Sequence, residues 1–280
     1  MFKTIVVGVD GRDGGRDALA LAGRLALLAG GELLAVRVLP FDYYASRAGA
    51  PPYTSLAEHD AGREVGADLE RAGLEARVEI IGDTSPARAL HRVAEREHAD
   101  VIVVGSTHHS RVGRVFAGDD AAAALHASPC AVAVAPRGLA DREWSGVERI
   151  GVGYDGGPES GQAFALAVAL ARDCDASLRV RSVVAPPVAY ADFTPYEDDW
   201  TERALAAAGM PGDELVDLSE RVDLLVLGSR AWGPVRRIVL GSVSAGLTRE
   251  AHCPVLVLPR GAATGQPGEA EPKDTRMTVA

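Results

Sequence analysis

The chain repeats itself, and that repetition constrains its fold more than any other feature. TIVVGVDG at 4–11 returns as RIGVGYDG at 149–156, DVIVVGS at 100–106 as DLLVLGS at 223–229, and SPCAVAVAPRG at 128–138 as AHCPVLVLPRG at 251–261. Asp10 and Asp155 are 145 positions apart, whereas Gly105 and Gly228, Gly118 and Gly241, and Cys130 and Cys253 are each separated by 123. Three matching separations in order indicate duplication rather than chance. The second copy is therefore 22 residues shorter between its second and fourth strands. A length of 280 residues agrees with two domains at roughly 150 residues each. The boundaries expected are 1–138 and 148–260, with a linker at 137–147.

Within the first copy, apolar runs alternate with helical periodicity. Strands are expected near 3–10, 32–39, 74–81, 100–105 and 130–136, with helices near 16–30, 55–72, 86–98 and 119–127. Strand–helix alternation of this kind predicts an α/β fold: two tandem, doubly wound, mostly parallel sheets of the Rossmann-like type, with ligands beyond the strand C-termini. Aromatic residues make up only 5% of the chain, so Val, Leu, Ile and Ala must build the core, as in buried parallel strands. In the second copy, 185–221 has to hold what the first holds in 40–99. Its Pro- and Asp-rich stretch predicts a shortened helix and a third strand reduced to 204–209 or missing. The polar tail at 261–280 is expected to be disordered.

A net charge of −10 argues against nucleic acid and anionic membranes as partners. No apolar run reaches the ~18 residues of a membrane span, and the first residues enter a strand directly. Three cysteines cannot close into a disulfide set, so a cytoplasmic setting is expected.

The Asp ending each first strand, the Gly-Ser ending each fourth strand and the later glycine before a short helix resemble the universal stress protein family, over about 2–260 and twice, as in its tandem members. That resemblance implies an adenine-nucleotide-hydrolase-like fold and a nucleotide signature, Gly-x2-Gly-x9-Gly-(Ser/Thr). The second copy supplies Gly228, Ser229, Arg230, Ala231, nine residues, then Gly241 and Ser242. It departs from the pattern at Ala231 alone. The first supplies Gly105, Ser106, Thr107, His108, nine residues, then Gly118 and Asp119, and loses two of the four signature positions.

The residue chemistry fits a phosphate loop in the second copy. A side chain at Gly228 would obstruct a ligand at the sheet edge, and Gly241 lets backbone N–H groups come close to an anion. Ser242, Val243 and Ser244 open a helix, whose unpaired amides and positive dipole end favour a phosphate. Arg230, Arg236 and Arg237 add positive charge. The resemblance further implies that Asp155 meets the adenine or ribose and that Val183 lines the base pocket. Asp155 is equally suited to closing the turn into the next helix. In the first copy the corresponding, weaker set is Asp10, Val38, Gly105 and Gly118. Asp119 and Asp120 stand where phosphate would dock, and a carboxylate ~4 Å from a phosphate charge costs about 4 kcal/mol at an effective dielectric near 20. As a helix cap the same aspartate is favourable by ~1 kcal/mol.

His108, His109, His126 and Cys130 lack zinc-type spacing and read as loop and packing residues. Cys130 and Cys253 begin equivalent strands and suit burial; Cys174 has little to activate it. The acidic run at 197–200 reads as a solvated loop. Nucleophile elbow, His-Glu metal motif and Walker lysine are all missing from the sequence.

The expected function is therefore a regulatory stress-response protein that binds ATP, with Mg2+ as companion ion, mainly in the second domain. It is read as no enzyme, and its protein partner is unnamed. The alternatives are a ligand-free interaction module and a slow ATP-hydrolysing or phosphoryl-transferring enzyme. The resemblance also implies that the last strands pair across a two-fold, within the chain as a pseudo-dimer or between chains as a homodimer.

Overall fold

A computed structural model describes residues 2–40, 54–107, 111–143, 146–182, 211–229, 242–259 and 277–279. In the first copy the order is β1 (Thr4–Gly8), α1 (Asp13–Ala29), β2 (Glu32–Pro40), α2 (Ser55–Ala72), β3 (Arg77–Asp83), α3 (Pro86–Arg96), β4 (Val101–Gly105), α4 (Asp119–Leu125) and β5 (Ala131–Ala135). The second gives β6 (Arg149–Gly153), α5 (Pro158–Cys174), β7 (Ser177–Arg181), α6 (Pro211–Ser219), β8 (Leu224–Gly228), α7 (Ser242–Glu250) and β9 (Val255–Leu258), and Met277–Val279 form β10. The expected third strand of the second copy, at 204–209, lies outside the described residues.

Local chemistry sets these boundaries. Thr54 caps α2 by accepting from the Ala57 amide at 3.1 Å, and Ser85 precedes Pro86 at the start of α3, a favoured first helical residue. Gly73, at φ +64°, ends α2 in the left-handed region, and Leu74 N–H closes back on Leu69 O at 3.0 Å. That cap holds residue 74 in the helix terminus, so β3 begins at Arg77 rather than at the expected 74.

The strands form one sheet in the order β10-β7-β6-β8-β9-β5-β4-β1-β2-β3. Among the described strands each copy is parallel, as the alternating pattern predicts. The copies meet where β5 pairs antiparallel with β9, with Val132 opposite Val257 and Val134 opposite Val255. These four valines are fully buried. Short strands that are apolar on both faces must be covered on both, and burying each valine contributes about 1.5–3 kcal/mol. Of the tail at 261–280, residues 277–279 are described. There β10 pairs parallel with the outer edge of β7, the place that β3 takes beside β2.

Alternation along each strand divides the core into two layers. Ile5, Val7, Ile150 and Val152 pack against α1, α2 and α5. Val6, Ile102 and Leu225 pack against α3, α4, α6 and α7 on the other face. The linker is fastened to α1. The buried Asp17 carboxylate accepts from Gly138 N and Ala140 N, each at 2.8 Å, while Arg24 donates to the carbonyls of Leu139 and Arg142 at 3.1 Å. Among the described residues, no helix is long and apolar enough to cross a membrane.

Candidate functional site

In each copy the first and fourth strands lie side by side while their helices leave to opposite faces of the sheet. This reversal creates a crevice at the strand C-termini. In the first copy it encloses a cavity of about 350 Å³ whose walls include Val36, Val38, Leu90, Asp10, Gly105 and Thr107. Three of the four residues expected for this copy line it; Gly118 stands behind Thr107, where an added Cβ would fall 1.9 Å from the Thr107 Cγ2. A larger cavity of about 690 Å³ opens between α1 and the end of α2. Its arginines already have partners, Arg71 in Asp68, Arg16 in Asp13 and Arg24 in the linker carbonyls. The crevice at the strand ends is therefore the better candidate.

The two aspartates close their turns. Asp10 Oδ1 accepts from Arg12 N and Gly15 N, both at 3.0 Å. Asp155 Oδ1 accepts from Gly157 N at 2.8 Å and from the Ser160 hydroxyl at 2.6 Å. The Ser160 hydroxyl and the Gly157 amide hold the Asp155 carboxyl below its ordinary 3.8. Each aspartate uses one oxygen for the turn, and its Oδ2 has no hydrogen-bond partner among the described residues. Turn closure and ligand contact are thus compatible at one residue.

Close packing is a further reason for the strand-end glycines, beside the ligand clearance expected of them. A Cβ on Gly105 would lie 1.9 Å from the Gly14 carbonyl oxygen, and one on Gly228 would lie 2.6 Å from the Glu159 carbonyl oxygen. It is the N-terminal turns of α1 and α5, pressed onto β4 and β8, that exclude a side chain.

In the second copy Asp155, Gly228 and Ser229 gather at the strand ends, and the backbone of α7 begins at Ser242, followed by Val243 and Ser244. Val183, Arg230, Ala231 and Gly241 lie outside the described residues, as do His108, His109 and the acidic run 197–200. Ser229 is 6% exposed, and its hydroxyl has no partner among the described residues. Sequence reasoning missed Arg181. It pairs with Gly153 on β6 as Val36 pairs with Gly8 on β1, so an arginine stands where the first copy has a cavity-lining valine. Its Nη1 lies 3.2 Å from Glu214 Oε2, and its buried Nε has no partner among the described residues. Laying the copies over each other at 145 positions would have exposed this difference.

The cysteines are poor nucleophiles. Burial pushes the Cys130 thiol up to about 12 and the fully buried Cys253 thiol higher still. Among the described residues no cluster of three His, Cys, Asp or Glu side chains is placed to hold a metal ion.

The family model for the universal stress protein family matches residues 1–136, 146–210 and 206–259. The chain belongs to the universal stress protein family. Its two copies are then two family domains in tandem. A universal stress protein of Mycobacterium tuberculosis H37Rv, Rv2319c, is 28% identical over 302 aligned positions, covering 91% of this chain and 99% of that protein. The crystal structure of a universal stress protein from Archaeoglobus fulgidus superposes with a TM-score of 0.65 at 20% identity, covering 92% of this chain and 98% of the other. A putative universal stress protein from Pseudomonas aeruginosa gives 0.63 at 16% identity, with 92% and 93% covered. These likenesses span both copies and support the doubly wound α/β fold.

Proposed function

We propose that this universal stress protein is a regulatory, non-catalytic protein that binds ATP mainly in its second domain. The residues would be Asp155, Val183, Gly228, Ser229, Arg230, Ala231, Gly241, Ser242, Val243 and Ser244. The observation that carries the reading is the 350 Å³ cavity at the first copy's strand ends, because β6, β7 and β8 of the second copy repeat the strands β1, β2 and β4 that line it. A volume in this range suits a small ligand. The second copy fits an anion better. The Ser229 hydroxyl and Arg181 Nε are buried donors without described partners, and α7 opens with Ser242 and Ser244 rather than paired aspartates. ATP would bring its own Mg2+, since phosphate oxygens supply most of the ligands such an ion needs. Bound nucleotide would favour one arrangement of the chain over another and so act on a protein partner.

Calorimetry with Mg-ATP on the wild type and on Ser242→Asp, which puts a carboxylate where the first domain has Asp119, tests this reading. Binding by the wild type that is lost in the variant supports it; no heat from either removes it. A second reading, a ligand-free interaction module, is favoured by the Arg181–Glu214 pair, which takes room where the first copy has Val36. The same titration separates the two, and Mg-dependent turnover abolished by Asp155→Ala would instead support an enzyme.

A further inference from the structure

The α5 helix carries a buried acceptor with nothing to accept. Gln162 Oε1 is buried and has no hydrogen-bond partner among the described residues. A desolvated amide oxygen left unpaired is costly, so a donor is expected at this spot. The duplication points to one. At the separation of 145 positions, α1 and α5 correspond residue for residue. Ala18 and Ala163 are fully buried, as are Ala22 and Ala167. The Gly14 carbonyl presses on Gly105 as the Glu159 carbonyl presses on Gly228. Both helices also end on a left-handed residue, Gly30 at φ +64° and Asp175 at φ +52°. In this register Gln162 stands where the first copy has Asp17.

Asp17 holds the chain that leaves β5, its Oδ2 accepting from Gly138 N and its Oδ1 from Ala140 N, each at 2.8 Å. The chain that leaves β9 repeats that sequence. Pro136, Arg137, Gly138, Leu139 and Ala140 return, 123 positions on, as Pro259, Arg260, Gly261, Ala262 and Ala263. Pro136 and Pro259 are both buried, and β9 lies beside β8 as β5 lies beside β4. At Met277–Val279 the chain is again on the second domain, paired with β7, so the connection at 260–276 begins and ends there. Crossing β8, β6 and β7 takes about 19 Å. The 17 residues of that connection reach up to about 56 Å, which leaves slack for contact with α5.

We propose that Gln162 fastens residues 261–263 to α5, its Oε1 accepting from the Gly261 and Ala263 amides as Asp17 accepts from Gly138 and Ala140. The surface of α5 around Gln162 is then a docking site for a segment of its own chain, in a stretch whose composition alone suggests disorder. The two fastenings differ in strength. Asp17 brings a charge and one oxygen for each amide, whereas Gln162 brings a single neutral oxygen that both amides share. The second domain therefore holds its tail more loosely than the first domain holds the linker.

Amide hydrogen exchange of the full-length chain, followed by NMR, tests this. Gly261 and Ala263 should exchange more slowly than unstructured amides of the same sequence. Gln162→Met keeps the length of the side chain and removes its oxygen. It should speed exchange at both amides about fivefold, the effect of one neutral hydrogen bond, and leave Gly138 and Ala140 as they were. Gln162→Asp, which copies the first domain, should slow the same two amides, and it decides the matter should Gln162→Met not fold. Unprotected Gly261 and Ala263 in the wild type, exchange unchanged in a folded Gln162→Met chain, or exchange no slower in Gln162→Asp would each overturn the proposal.

Discussion

Gly105, the last residue of β4, packs so closely on Gly14 of α1 that a Cβ added to it would lie 1.9 Å from the Gly14 carbonyl oxygen. Backbone stands on both sides of this contact, so no side chain can swing away to make room. Gly105→Ala is expected to lower stability by about 1–3 kcal/mol through overpacking. Gly228→Ala should behave alike, since its Cβ would lie 2.6 Å from the Glu159 carbonyl oxygen. Urea unfolding without ligand checks this. Unchanged midpoints would show that packing does not require these glycines.

Asp17 fastens the linker to α1, and two amides would lose their acceptor in Asp17→Ala. The expected loss is about 2–4 kcal/mol by urea denaturation, from leaving desolvated donors unpaired. Burial, opposed by the amides of Ala140 and Gly138, raises this carboxyl above 3.8 in the folded chain. The folded state therefore holds the proton more tightly than the unfolded state. This group's contribution is greatest below pH 3.8 and declines as pH rises through the raised value.

Much of this architecture was legible. Matching separations of Asp10/Asp155 and Gly105/Gly228 revealed the duplication, and alternating periodicity gave the parallel order within each copy. Two details resisted for physical reasons. The end of α2 depends on a left-handed cap at Gly73 that holds Leu74, which strand propensity does not record. The Val115 and Ala117 amides bond to the carbonyls of Ala251 and Thr248, more than 130 positions away, and no local pattern encodes such partners. Arg181 was legible in principle, by setting it against Val36, because each strand register is the same in both copies.

Asp155 titrates in the opposite sense to Asp17. The Ser160 hydroxyl and Gly157 amide lower its carboxyl below 3.8, so its stabilising contribution is present above that pH and lost as pH falls through the lowered value. In Ser160→Ala the Asp155 carboxyl should titrate closer to 3.8, as followed by carboxyl-carbon NMR. An unaltered titration would mean that Ser160 does not hold this turn.

The thiols differ in access as well as acidity. Cys253 is buried, whereas Cys130 and Cys174 are half-buried, and burial raises all three. Iodoacetamide at neutral pH should leave Cys130 and Cys253 unmodified in the native protein, because the thiolate is the reactive form. Slow labelling is expected at Cys174. Mass spectrometry of the peptides reads the outcome, and rapid labelling of Cys130 would show an activated thiol instead of a packed one.

The central proposal is an asymmetry: of two duplicated crevices, the second binds ATP and the first, whose short helix opens with Asp119 and Asp120, does not. The stoichiometry of Mg-ATP binding to the full-length wild-type chain, measured by calorimetry with independently determined protein concentration, tests it most directly. One ATP per chain is expected. Two per chain would contradict the asymmetry, and none would contradict the nucleotide reading of the second copy.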